Sequence, residues 1–552
     1  MTEPGHVFVV RGDLTQLACD AVLVPTTVDR SVTGGWRSLV DEVPGAPADW
    51  PHRPLLLKPR DGDTPGRPRV WLTATAGLHP PGASRGDVAA TLQVLLERVD
   101  AFLDAAATAL GERDTGGRRP LVALPVVGTG EHGLGTRPGA VVRALLERLD
   151  AAVARHHLDV AVVAWSATNE ALCRHWRRRM WEQRWGGPDG YAAEVFGRWR
   201  RGRAVAGRVV ETAADADLAA LLERAALGRL VPFFGSGVSR AAGQPNWAEL
   251  LEELSPPGAA DLFERLVGQD LTHMADPFAR AQVIANLDPG GTAALRRRLD
   301  QRLAIERLSL QHVELANLGA RDAITTNYDR GYERACEASG AEVTIVPRPG
   351  GERRLVKLHG SLGTDGGQPL LTRNQLLDFD IERGALAGVL QMLLLTNHLL
   401  FVGYSMSDPS LHAAVHTVRR ALEQDPHAAD VPVMATSLQV DPSPALAALW
   451  DHTIDVLWPC AEAFGDEPAR VRQKEILLDL LADAASQATV PVLGMDPEAA
   501  ALDLTPEERA LRAALSDLAD AWHTQAPGSA LWDPVARLLD RFGGAGDGPS
   551  RR

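Results

Sequence analysis

The sequence predicts an α/β protein: two parallel-sheet domains in succession, the second Rossmann-like with a helical insertion, then a helical C-terminal region. Short apolar runs such as Val7-Phe8-Val9-Val10 and Ala21-Val22-Leu23-Val24-Pro25 alternate with amphipathic stretches of helical period, as buried strands alternate with crossover helices. Glycine or small polar residues repeatedly follow those runs. The chain of 552 residues is too long for one core, and its length implies roughly three or four domains.

The first two runs are bounded by Gly12-Asp13 and Thr26-Thr27. Helical stretches at Val88 to Ala109 and Gly139 to Arg155, with strands at Leu121 to Val126 and Val160 to Trp165, complete a domain over 1–170. Composition then shifts to Trp and Arg, with Gly186-Gly187-Pro188 as a breaker, so 171–214 reads as a connecting segment. A helix at Asp215 to Leu227 and a strand at Leu230 to Phe234 open a second domain over 215–465. Its helical insertion spans about 250–318, broken at Pro256-Pro257 and Pro289-Gly290-Gly291. Strands resume at Ala323 to Thr325, Val343 to Val346, Leu355 to Leu358, Leu399 to Val402 and Val431 to Val440. Residues 466–552 read as helices at Leu477 to Ala485, Pro506 to Trp522 and Leu531 to Phe542, with a disordered tail from Gly543.

Composition excludes several classes. A net charge of -14 argues against a broad grip on nucleic acid, and the basic run Arg174 to Arg179 reads as a solvated helix face. Cys19, Cys173, Cys336 and Cys460 form no C-x-x-C pair, so neither a zinc site nor a disulfide framework is expected, and a reduced, cytoplasmic protein is. The most apolar window, Ala385 to Tyr404, is interrupted by Gln391, Asn397 and His398 and reads as a helix running into a buried strand, with no membrane span expected.

Four strand exits carry residues with chemistry. Gly235-Ser236-Gly237-Val238-Ser239 follows the strand Leu230 to Phe234, where glycine lets backbone approach a diphosphate. Asn327 and Asp329 leave the next strand, His359 stands between Leu358 and Gly360 at the end of another, and Gly403, Ser405 and Asp408 follow Leu400-Phe401-Val402. Each alone also fits a turn or a structural hydrogen bonder. Together they fit one crevice at the carboxyl edge of a sheet.

In this order and over 215–465, these segments resemble the NAD-binding core of the sirtuin family, with Thr326-Asn327-Tyr328-Asp329 in place of the deacetylases' Gln-Asn-Ile-Asp. The resemblance implies that NAD is bound by Gly235, Ser236, Gly237, Ser239, Asn327, Asp329, Gly403, Ser405 and Asp408. It further implies that Asn327 positions water or the ribose, Asp329 holds the carboxamide and His359 is the general base. Sirtuin deacetylases carry a four-cysteine zinc module between the histidine and the final glycine segment, and no cysteine lies between Cys336 and Cys460 here. The chain therefore looks like the zinc-free branch that hydrolyses NAD to nicotinamide and ADP-ribose in bacterial antiphage defence, with NAD as substrate and no metal. A protein deacylase, an ADP-ribosyltransferase and a non-catalytic nucleotide sensor are the alternatives.

Val10-Arg11-Gly12-Asp13-Leu14-Thr15 and the loop Pro125 to Gly135 resemble the opening and the phosphate loop of macro domains, which bind ADP-ribose. That resemblance implies an ADP-ribose-like signal bound by Asp13, Gly128, Thr129, Gly130 and Gly133, although Pro25-Thr26-Thr27 replaces the family's Asn-rich segment. A degenerate scaffold is the competing reading. Gating by this domain or by homo-oligomerisation is expected of an enzyme that depletes NAD.

Overall fold

The computed structural model describes residues 5–486, 505–524, 535, 538–539 and 542, apart from 41, 58–66, 79–86, 112–117, 130–133, 135–137, 206–207, 269, 275, 364–367, 378 and 425–432. The chain forms two compact units, Met1–Val195 with Asp466–Arg552, and Phe196–Gly465.

In the first unit, β1 (Val7–Arg11), β2 (Ala21–Thr27), β3 (Leu55–Leu56), β4 (Arg69–Ala76), β5 (Leu121–Pro125) and β6 (Asp159–Ala164) form one sheet in the order β1-β6-β5-β2-β4-β3. All pairs are parallel except β3 with β4. β6 is buried at every position, as a central parallel strand covered on both faces must be. Helix Val88–Gly111 turns Leu95, Val99, Phe102, Ala106 and Leu110 inward, the spacing of one helical face. β4 is absent from the sequence reading: its threonines and alanines weaken the apolar signal of Arg69-Val70-Trp71-Leu72-Thr73-Ala74-Thr75-Ala76, although the sheet buries most of them.

Residues 171–214, expected to connect domains, are largely regular. They hold most of helix Ala167–Trp185, helix Pro188–Phe196 and a hairpin of β7 (Trp199–Val205) and β8 (Arg208–Ala213). The arginine run is not a solvated face: Arg174 and Arg177 are buried. Arg177 pairs with Asp479 at 2.7 Å and with Asp483 at 2.9 Å, and Arg178 with Asp483 at 2.7 Å. Both aspartates lie on helix Glu467–Ala485, which belongs to the first unit although 280 or more positions separate it from the run in sequence. Arg472 of that helix also meets Asp159 of β6 at 2.7 and 2.8 Å. The expected helix Leu531 to Phe542 lies largely outside the described residues, and the tail from Gly543 lies entirely outside them.

In the second unit, β9 (Leu230–Phe234), β10 (Asp322–Thr325), β11 (Val343–Ile345), β12 (Arg353–Lys357), β13 (His398–Val402), β14 (Ala435–Leu438) and β15 (Ile454–Pro459) run parallel, with β7 and β8 antiparallel at one edge. The order is β11-β12-β10-β9-β13-β14-β15-β7-β8. The insertion is helical, with Leu251, Phe263, Ile284 and Leu299 in its core. Strand order reverses between β9 and β13, and ligands of open α/β sheets bind at that switch point. Register aligns the exits: Phe234 pairs with Thr325 and Val402, and Thr325 with Lys357. Gly235, Thr326, Leu358 and Gly403 thus leave the sheet at one level.

Candidate active site

The two glycine segments pack on each other. Gly235 N donates to Val402 O at 3.1 Å, Gly237 N to Gly403 O at 2.9 Å, and Val238 N to Gly235 O at 3.1 Å. A Cβ on Gly237 would come 2.7 Å from Gly403 Cα, and one on Gly403, whose φ is +59°, would come 2.6 Å from Val238 N. These glycines are demanded by loop against loop, and the three amides are committed to protein carbonyls. Polar side chains at the same edge, Ser236, Ser405 and Ser407 among them, line the cavity, with the Ser405 and Ser407 hydroxyls 2.8 Å apart. Gly237→Ala is expected to destabilise the second unit by about 1–3 kcal/mol through overpacking, read as a lowered midpoint in urea; an unchanged midpoint would show that the loops part at no cost.

Beyond β10, Thr325 Oγ1 donates to Phe234 O at 2.9 Å and accepts from Asn327 N at 3.0 Å, fixing the turn that turns Asn327 toward β9. Asn327 Nδ2 donates to Gly235 O at 3.1 Å and to Ser239 Oγ at 3.3 Å. Ser239 Oγ donates to Asp329 Oδ2 at 2.9 Å, while Asp329 Oδ1 accepts from Gly331 N at 2.8 Å. The structure therefore brings Ser239, Asn327 and Asp329 into one network.

That network has members absent from the sequence reading. His312 Nδ1 accepts from Ser309 N at 3.3 Å, which assigns the ring proton to Nε2, 3.2 Å from Ser239 Oγ. Burial holds His312 below the usual imidazole range, and the Asp329 carboxylate only partly opposes this; the ring is neutral and donates. Gly331 leaves it room, since a Cβ there would lie 2.5 Å from Nε2. Beneath the loop, fully buried Lys357 pairs with Glu333 at 2.8 Å and donates to the carbonyls of Tyr328 and Asp329. His312 sits on a short helix whose sequence, Leu310-Gln311-His312-Val313, carries no signal of this contact.

His359 follows β12 and is buried. Its Nε2 lies 2.7 Å from Asp408 Oδ2, close but not aligned as a hydrogen bond. Burial pushes the Asp408 carboxyl up, but His359 and the Ser410 amide outweigh it and hold the group below the usual carboxylate range. Phe278 of the insertion meets the His359 ring edge-on at 5.5 Å, and Trp247 spans from Phe278 at 5.9 Å to Tyr328 at 5.7 Å. These walls enclose a cavity of about 840 Å³ onto which Asn327, Asp329, His359, Gly403, Ser405 and Asp408 all open. Arg373 and Asp276 form an ion pair at its partly exposed rim.

In the first unit, Asp13 caps the turn after β1, its carboxylate accepting from Thr15 N at 2.9 Å, Thr15 Oγ1 at 2.7 Å and Gln16 Nε2 at 3.0 Å. Gly128 turns with φ +81° after β5, where a Cβ would strike Leu95 at 2.4 Å. Thr129 Oγ1 donates to Val126 O at 3.3 Å. Gly130 and Gly133 lie outside the described residues.

Among known proteins, the chain is similar to the NAD(+) hydrolase ThsA of Bacillus cereus, 27% identical over 202 residues that cover 35% of this chain and 40% of that protein. The ThsA of Acinetobacter baumannii is 26% identical over 201 residues, with the same coverage. Defense-associated sirtuin 2 of Bacillus subtilis is 24% identical over 229 residues, 39% of this chain and 21% of its own length. The chain thus spans less than half the length of the relatives it matches. Residues 321–454, which hold Asn327, Asp329, His359, Gly403 and Asp408, match the SIR2-like domain family.

Proposed function

We propose that this chain is an NAD glycohydrolase that cleaves NAD to nicotinamide and ADP-ribose, acting as a gated effector of antiphage defence. The observation that carries the reading is the single cavity of about 840 Å³ at the sheet's switch point, onto which Asn327, Asp329 and His359 open together. Relatives named as NAD(+) hydrolases support this reaction, and one named as a defense-associated sirtuin supports the role in defence.

Loss of nicotinamide builds oxocarbenium character on the ribose, so the site must favour positive charge and guide water to the anomeric carbon. Asp329 supplies a carboxylate, held in place by Ser239 and Gly331, and serves to hold the nicotinamide carboxamide. The Asn327 amide nitrogen is committed to Gly235 and Ser239, which turns its carbonyl oxygen to a water or ribose hydroxyl. His359 takes the proton. No metal takes part in this scheme. The first unit serves as the gate, through an ADP-ribose-like ligand or through assembly into homo-oligomers. Among the described residues no helix is long and apolar enough to cross a membrane.

Incubating the protein with NAD and resolving the products by mass spectrometry tests the reading. Nicotinamide with free ADP-ribose is expected. ADP-ribose on an acyl group or on protein would replace hydrolysis by transfer, and tight NAD binding without turnover would make the chain a sensor.

A further inference from the structure

We infer that Asp408 does not grip the dinucleotide but acts as the positioning partner of His359, selecting the tautomer and steadying the imidazolium that forms during NAD cleavage. The inference rests on the NAD-cleaving reading and refines the role of one residue within it.

The two oxygens of Asp408 are divided between tasks. Oδ1 accepts from Ser410 N at 2.8 Å and caps helix Pro409–Glu423, while Oδ2 stands 2.7 Å from His359 Nε2. Asp408 and His359 are both more than nine-tenths buried. A carboxylate against Nε2 places the ring proton there, which leaves Nδ1 with the lone pair that a general base needs. When Nδ1 takes a proton from the attacking water or a ribose hydroxyl, the ring becomes cationic, and Asp408 is the anion in contact with it. The proton passes from oxygen to Nδ1, and the new oxygen–carbon bond forms as the bond to nicotinamide breaks.

The other charged groups near the ring are already engaged. Asp329 is bound by Ser239 and Gly331, Lys357 is paired with Glu333, and Asp276 is paired with Arg373. The Tyr404 hydroxyl, on the loop that leads to Asp408, is buried with no hydrogen-bond partner. His359 Nε2 and Asp408 Oδ2 likewise lack an aligned bond. Three under-used polar atoms in one wall of the cavity suit a site whose bonds align only when substrate is bound.

Asp408→Asn tests this cleanly, because asparagine caps a helix as well as aspartate does. Its amide can donate to Nε2, which would move the ring proton to Nδ1 and disable the base. The expected result is a kcat lowered by on the order of 100-fold or more, with affinity for a carbocyclic, uncleavable NAD analogue within about twofold of wild type by calorimetry. Asp408→Glu should recover part of the rate. If Asp408→Asn instead weakens analogue binding tenfold or more with kcat unchanged, the residue is a dinucleotide contact and the inference is overturned. A wild type that binds the analogue but never releases nicotinamide would overturn the enzymatic reading itself, a result distinct from either.

Discussion

Alanine at His359 or at Asn327 should each cut nicotinamide release by at least about 100-fold, the usual weight of a positioned base or a group that orients the nucleophile. The two variants should differ in other respects. Removing the imidazole leaves Asp408 Oδ2 buried without its 2.7 Å partner, so His359→Ala should also lose about 1–3 kcal/mol of stability from the orphaned carboxylate. Removing the Asn327 amide leaves Gly235 O with the Val238 amide as donor and deprives Ser239 Oγ of one of its donors, while the His312 and Asp329 contacts to Ser239 remain. Asn327→Ala should therefore keep most of its stability and lose its rate. Progress curves of NAD consumption beside urea melts separate the two effects. Either variant matching an active wild type would remove that residue from the chemistry.

Strand exits were legible because each joins an uninterrupted apolar run to a polar or glycine residue, as in Leu400-Phe401-Val402-Gly403 and Leu358-His359-Gly360. Their meeting in one cavity was legible too, since parallel strands deliver their carboxyl ends to a common edge. A second purpose of the glycines was not: sequence suggests room for a phosphate, and Gly235, Gly237 and Gly403 also answer the approach of two loops. Edge strands β7 and β8 hide in the arginine-rich Trp199 to Ala213, where the sheet is half exposed and the apolar signal thin. His312, Lys357 and Glu333 act through contacts that tie separate elements together, and local periodicity carries no trace of such contacts. Asp408 was legible as a site residue, but only its distance from His359 suggests which partner it serves.

The arginine run misled for the same reason, and it leads to the largest stability effect expected here. Arg177 is buried and holds Asp479 and Asp483 of helix Glu467–Ala485, and Asp479 also meets His6 Nε2 at 2.8 Å. Burial alone would raise the Asp479 carboxyl, but Arg177 and His6 outweigh it and hold it at about 2, against an ordinary 3.8. Because the folded value is depressed, the associated stability is present above about pH 4 and is lost as pH falls toward 2. Arg177→Met should cost about 3–5 kcal/mol at neutral pH, since it leaves buried carboxylates short of their cation, and the cost should shrink as pH falls and the stranded carboxylates take up protons. A urea midpoint equal to wild type would mean that the pair is compensated elsewhere. Asp479→Leu combined with Arg177→Met should recover much of the loss, because a buried ion pair exchanged for apolar groups of similar volume is often close to neutral. Such recovery would assign the cost to the stranded charge. Its absence would show that helix Glu467–Ala485 depends on these ions to dock at all.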